Sequence, residues 1–194
     1  MIFDVSTIIP AMAFTLYVFF AIFGFIQYNK VHYYWSFQFY VLAMTLWSFG
    51  SFMMHLNSPI LTPLFWNKIM LVGMLSVPFI LIHFVADIME YHKRNFRIFV
   101  KFSYTLIAFL MYFNFSGTIV SEAGFTDGQF FYKLGQGAIV AYSISYIYLF
   151  GTFLLMVISS RKISSPKARK KMFLPLLGTI ITQSSHTLQT ADSK

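Results

Sequence analysis

The sequence predicts an all-α fold: a polytopic bundle of transmembrane helices with five full spans and a short or truncated sixth. Three observations predict it. Only 10% of the 194 residues are charged and 58% are hydrophobic, whereas a soluble domain carries about 25% charged residues. Too little charge is left to cover a surface that faces water. The apolar residues fall in unbroken runs, and a helix needs about 20 of them to cross roughly 30 Å of hydrocarbon. Finally, the basic residues sit in short segments between those runs, and on alternate ones.

The first run, residues 5–28, contains no charge at all. Ahead of it Met1-Ile2-Phe3-Asp4 offers no basic stretch, so the run is read as a true span and not as a cleaved signal peptide. A polar knot, Asn29-Lys30-Val31-His32, separates it from a second run at 35–54. That run carries Gln38, Thr45, Ser48 and Ser51, which predicts one face buried against other helices. Asn57-Ser58-Pro59 and Thr62-Pro63 supply turn chemistry. The third span follows at 64–89 and the fourth at 98–115. Residues 116–137 are polar and glycine-bearing, and are read as a long loop before the fifth span at 138–159.

A sixth apolar segment, 173–182, is well short of the roughly 17-residue minimum. Gln183-Ser184-Ser185-His186 ends it, and the tail 183–194 is polar. The sequence is therefore expected to stop inside an element, by truncation or frameshift, or else to close on a short interfacial helix. The expected organisation is one membrane region, 1–182, and a polar tail.

Lys and Arg in short loops set the orientation. With the N-terminus outside, the cytoplasmic loops 29–34, 90–101 and 160–172 hold Lys30, then Lys93, Arg94, Arg97 and Lys101, then Arg161, Lys162, Lys167, Arg169, Lys170 and Lys171. The outer loops hold Lys133 alone, beside Glu122 and Asp127. A net charge of +8 would suggest nucleic acid in a soluble protein. Here the charge flanks apolar runs, so lipid headgroups account for it and no nucleic acid is expected. An aromatic content of 21% suggests interfacial belts before a ligand cage.

The absence of cysteine excludes disulfides, thiolate catalysis and iron–sulfur clusters. The sequence shows no phosphate-binding glycine loop, nucleophile elbow, HExxH or paired catalytic carboxylates. No enzyme activity, cofactor or metal is expected. Ionisable residues within spans are costly and count as functional candidates. Lys68, beside Trp66 and Asn67 near the start of the third span, either snorkels to headgroups or helps bind a ligand. Neighbours on a helix point about 100° apart, so these three cannot share one pocket. Either Asn67 and Trp66 or Asn67 and Lys68 would have to face inward.

His83 and Asp87 share a helix face. They could relay protons or form half of a metal site, but a local hydrogen bond near the interface explains them more simply. Asn114-Phe115-Ser116 matches the glycosylation triplet, a pattern common by chance. Ala141 and Ser145 form a weak small-residue packing pair.

Trp47-Ser48-Phe49-Gly50, Phe65-Trp66-Asn67-Lys68-Ile69, Gly73, Pro78-Phe79 and His83-Phe84 together resemble the N-terminal seven-helix sensory region of bacterial sensor histidine kinases. The same region sometimes precedes diguanylate cyclases. The resemblance covers roughly residues 5–182. It implies a sensory or receptor module of a two-component signal-transduction system, with the kinase or cyclase domain further downstream. The family's seventh span and kinase domain have no counterpart here, so a truncated relative is expected. His186 lacks the surrounding helix of a phospho-accepting histidine.

The resemblance also implies the partners: the bilayer, a homodimer or a separate output domain, and a small-molecule or peptide signal. A small transporter or transporter subunit is the alternative from another class, and a non-functional remnant a third. Transporters tend to show internal repeats and broken helices. No convincing repeat is present, and Pro78 is the one mid-span proline.

Overall fold

Among the described residues the chain forms five helices: α1 (Val5–Ile26), α2 (Tyr34–His55), α3 (Pro63–Ile88), α4 (Arg94–Phe115) and α5 (Ala138–Ser160). A two-stranded sheet, β1 (Val120–Thr126) and β2 (Gln129–Leu134), lies between α4 and α5. The computed structural model describes residues 5–26, 33–56, 61–89, 94–126 and 129–160. The expected sixth segment, the tail and most of the basic loop ahead of them lie outside the described residues. With 22 to 26 residues each, the helices reach about 33–39 Å at 1.5 Å per residue. All five are long and apolar enough to cross a bilayer. The protein is a multi-pass, all-α membrane bundle.

Local sequence fixes where α3 begins. Thr62 is extended at the N-cap, its hydroxyl accepts from the Phe65 amide at 3.3 Å, and Pro63 opens the helix. Pro78 lies inside the same helix and cannot donate to the carbonyl four residues back. A bilayer tolerates this where neighbouring helices surround the site, and Pro78 is buried. α4 starts at Arg94, ahead of the apolar run expected at 98–115. The helix continues past the hydrocarbon edge because the exposed Arg94 and Arg97 can extend from its first turns to headgroups.

Burial ranks the helices. In α3 83% of the spanning window is buried, against 6% in α1 and 17% in α4, so α3 is the hub. α2 packs on it at backbone distance: a Cβ on Gly50 would lie 2.5 Å from the Met70 nitrogen. A Cβ on Gly73 would run into the Ala43 carbonyl and the Trp47 amide. Small residues let two helices approach this closely where lipid provides no hydrophobic drive to bring them together. Tyr40 and Phe37 then wrap Phe84 at ring separations of 5.9 and 5.7 Å. α1 joins through Gln38, whose amide donates to the Ala21 carbonyl at 3.3 Å, and through Phe14 against Phe49.

The chain divides into two compact units, Met1–Leu149 and Phe150–Lys194. In the first, Tyr148 of α5 lies against Phe79 of α3 and Phe99 of α4, at 4.2 and 5.5 Å. In the second, Phe150 through Ser160 continue α5, with Phe150, Phe153, Leu154 and Ile158 exposed.

Residues 116–137 differ from the expected loop: they fold as an antiparallel hairpin with Phe125 opposite Phe130 and Val120 opposite Leu134. α4 ends in a glycine cap, with Gly117 at φ 83°. The Thr118 amide reaches back to the Phe113 carbonyl and the Gly117 amide to Asn114. Gly135 and Gly137 donate to Ile119 and Thr118, closing the base. Ile119 and Val120 are buried. A sequence signal for the hairpin was present, since Asp127-Gly128 stands between two aromatic-bearing stretches. Polar composition masked it.

Candidate functional site

The end of the bundle that carries the hairpin holds Trp66, Asn67 and Lys68 of α3 and Asn114 of α4. The abrupt start at Pro63 places Trp66, Asn67 and Lys68 in the first turns of α3. Trp66 meets Phe49 of α2 edge-on at 5.5 Å, and its indole nitrogen is buried with no partner. Asn67 is 1% exposed and turns toward α2, its amide nitrogen 3.7 Å from the Met54 sulfur. Its side-chain oxygen is buried without a donor.

Lys68 points the other way. Its ammonium donates to the Phe115 carbonyl at 2.9 Å, at the last residue of α4. Carbonyls there have no partner within their own helix and form the negative end of its dipole, so a cation suits them. Asn114 answers from α4, donating through its side-chain nitrogen to the Lys68 carbonyl at 2.8 Å. The two residues form a reciprocal clasp between α3 and α4. Asn114 is fully buried, and its side-chain oxygen is a further acceptor without a donor.

The three neighbours on α3 therefore diverge, with Asn67 and Trp66 on the α2 side and Lys68 on the α4 side. Sequence reasoning passed over Asn114, noting it only within a glycosylation triplet. Complete burial makes it inaccessible to a glycosyltransferase in the folded protein. An asparagine inside an apolar run was the signal that could have marked it.

Beside the clasp, the hairpin base forms a cleft of about 400 Å³ lined by Ser116, Gly117, Thr118, Ser121, Lys133 and Gln136, with Leu134 and Gly135. The chain enters this lining at the residue after Phe115. Ser116 and Thr118 share a hydroxyl hydrogen bond of 2.8 Å. Phe130 on the hairpin lies 6.0 Å from the His55 ring at the end of α2. The hairpin thus touches the end of α2 and continues directly from α4.

The second candidate group lies toward the opposite end of α3. His83 Nε2 stands 3.4 Å from an Asp87 oxygen, and both side chains are about a quarter exposed. His83 Nδ1 lies 3.0 Å from the Tyr104 hydroxyl of α4. With the proton on Nε2 directed at Asp87, Nδ1 accepts from Tyr104. With Tyr104 the pair thus forms a three-residue bridge between α3 and α4. Among the described residues no three His, Asp or Glu side chains come together to hold a metal.

Residues 5–193 match the family model described as the N-terminal 7TM region of histidine kinase. Neither a search of curated proteins nor one of solved structures finds a significant match.

Proposed function

Because the chain belongs to the family of N-terminal seven-transmembrane regions of histidine kinases, we propose that it is the signal-receiving module of a two-component system, sensing through the hairpin end of its bundle. Its partners in this reading are the bilayer, a small-molecule or peptide signal, and a kinase output domain that a homodimer would bring together. The membrane region performs no phosphoryl transfer; it sets the conformation that the output domain reads.

The clasp between Lys68, Phe115 and Asn114 carries this reading. α2 and α3 are locked by backbone contact at Gly50 and Gly73. α3 and α4, by contrast, are tied at the hairpin end by two polar bonds that a ligand can replace. A signal that competes for those bonds favours one packing of α4 against the α2–α3 pair over another. The His83–Tyr104 bridge joins the same helices further along and would carry the shift toward the opposite end.

The test grafts the region onto a kinase output domain with a transcriptional reporter. Lys68→Met and Asn114→Leu should each change basal output or the response to conditioned medium, with expression preserved. Reporter activity unchanged in both variants would reduce the clasp to an interfacial anchor.

Orientation belongs to the same proposal, with the hairpin outside and loops 29–34, 90–101 and 160–172 in the cytoplasm. Basic residues resist translocation, and the hairpin holds one Lys against Glu122 and Asp127. Alkaline phosphatase fused within 116–137 should be active and fused within 161–171 inactive. The opposite pattern would overturn this orientation.

A further inference from the structure

α4 begins with three cations on one face. Arg94, Arg97 and Lys101 are all exposed. At 100° per residue they fall within about 60° of one another around the helix. Helical Cα–Cβ bonds tilt toward the N-terminus, so Arg97 and Lys101 lean back toward Arg94 and the headgroup layer. Lys68 of α3 has the Phe115 carbonyl for its charge. Among the described residues no carboxylate pairs with any of the three on α4. The first turn of α4 also lacks an acidic residue. The positive end of the helix dipole therefore adds to Arg94 and Arg97, and like charges three and four residues apart repel. An anion among them would relieve both effects.

Below the cations the same face turns apolar. Ile98, Phe102, Phe109 and Tyr112 are between 57% and 70% exposed. Ser103, Leu110 and Asn114, on the opposite side of the helix, are buried. From Arg94 to Tyr112 the strip runs about 27 Å at 1.5 Å per residue, well beyond the depth of one leaflet, roughly 15 Å of hydrocarbon.

We infer that this face of α4 is a binding site for an anionic phospholipid. The lipid phosphate sits among Arg94, Arg97 and Lys101, and an acyl chain lies along Ile98, Phe102 and Phe109. Other occupants match only part of the face. A soluble anion would meet the cations and leave the apolar strip unused. A zwitterionic phospholipid brings an ammonium of its own into a cluster of three positive charges. An acidic protein segment could not follow the strip into hydrocarbon without leaving its backbone unsatisfied. An anionic lipid is complementary to both parts, charge at the headgroup and hydrocarbon below it.

Such a lipid acts on the helix that the sensory reading makes movable. Only 17% of the spanning window of α4 is buried by protein. A lipid held on its outer face fixes its depth and tilt, so the anionic-lipid content of the membrane biases the packing of α4 on α3 before any signal arrives.

The test reconstitutes the full chain carrying Phe102→Trp, an exposed position, in vesicles of phosphatidylcholine with either brominated phosphatidylglycerol or brominated phosphatidylcholine. Quenching of the parent chain, which holds Trp35, Trp47 and Trp66, is subtracted. Phosphatidylglycerol should be preferred at position 102 by about fivefold or more, the size of one basic residue's attraction to an anionic surface. Combined Arg94→Gln, Arg97→Gln and Lys101→Gln should bring the two lipids to parity. Replacing Lys167, Arg169, Lys170 and Lys171 by Gln should leave the preference in place. Soluble glycerol phosphate at millimolar concentration should not displace the lipid.

Where the triple variant fails to insert, Arg97→Gln and Lys101→Gln singly carry the test, each lowering the preference by about twofold or more. Equal quenching by the two lipids would overturn the inference, as would a preference that survives loss of the α4 cations. Loss of the preference on replacing 167–171 would place the lipid at that loop instead, and displacement by glycerol phosphate would make the site one for a soluble anion.

Discussion

Gly73→Ala is expected to destabilise the bundle by about 2–3 kcal/mol, the upper part of the range for forcing a methyl group into a packed interior. The added carbon would run into the Ala43 carbonyl and the Trp47 amide and lie 2.9 Å from the Trp47 Cα. These are backbone atoms of a neighbouring helix, so no rotamer change can relieve the clash. α2 must move as a body, and with it Met44 and Val41, both buried in the core. In unfolding monitored by far-UV circular dichroism in detergent, the midpoint should fall clearly below that of the parent. Gly151→Ala supplies the control, because a Cβ there meets nothing within 4 Å. That variant should be neutral or slightly stabilising, since alanine favours helix over glycine. Equal midpoints for the two variants would mean that α2 and α3 are not in backbone contact.

Asn67→Leu is expected to act in the opposite direction, raising stability by about 1–2 kcal/mol. The asparagine is 1% exposed, one of its polar atoms has no partner, and the other meets only the Met54 sulfur. Leucine is of comparable size and removes an unsatisfied group from an apolar contact. The same measurement should therefore show a higher midpoint, while the response of a kinase fusion is lost. Stability gained at the expense of response is the usual signature of a site held in an unfavourable state for function. A lower midpoint for Asn67→Leu would show that the amide is satisfied in the folded protein and that the site is structural.

The sequence and the structure divide the description of this protein unequally. Five helices were legible because crossing hydrocarbon demands length and apolarity together, and both are visible in a single chain. Residues 5–28, free of charge, announce α1 without reference to any other part of the molecule. Thr62-Pro63 announces the start of α3, since cap and helix-opening chemistry are local. The hairpin was less legible. Its register joins Val120 to Leu134 across the chain, and polar composition resembles a loop unless the Asp-Gly pair is weighed.

The three adjacent candidates on α3 were legible as polar residues in a span, and helical geometry already required them to diverge. Which of them faces which neighbour was not legible. Spacing along one helix says nothing of the rotation at which that helix packs, and the close approach of Gly50 and Gly73 to their partners decides it. Once that contact is made, Asn67 turns to Met54 and Lys68 to the end of α4. Asn114, distant in sequence, then meets the Lys68 carbonyl. The sequence by itself determined that the chain lives in a membrane, where its helices lie and to which family they are related, because solvent transfer and backbone satisfaction act on each segment separately. Only the tertiary structure decided that Lys68 and Asn114 form one clasp and that Asn67 is buried, because a helix's polar face acquires a partner only when a second helix is brought against it.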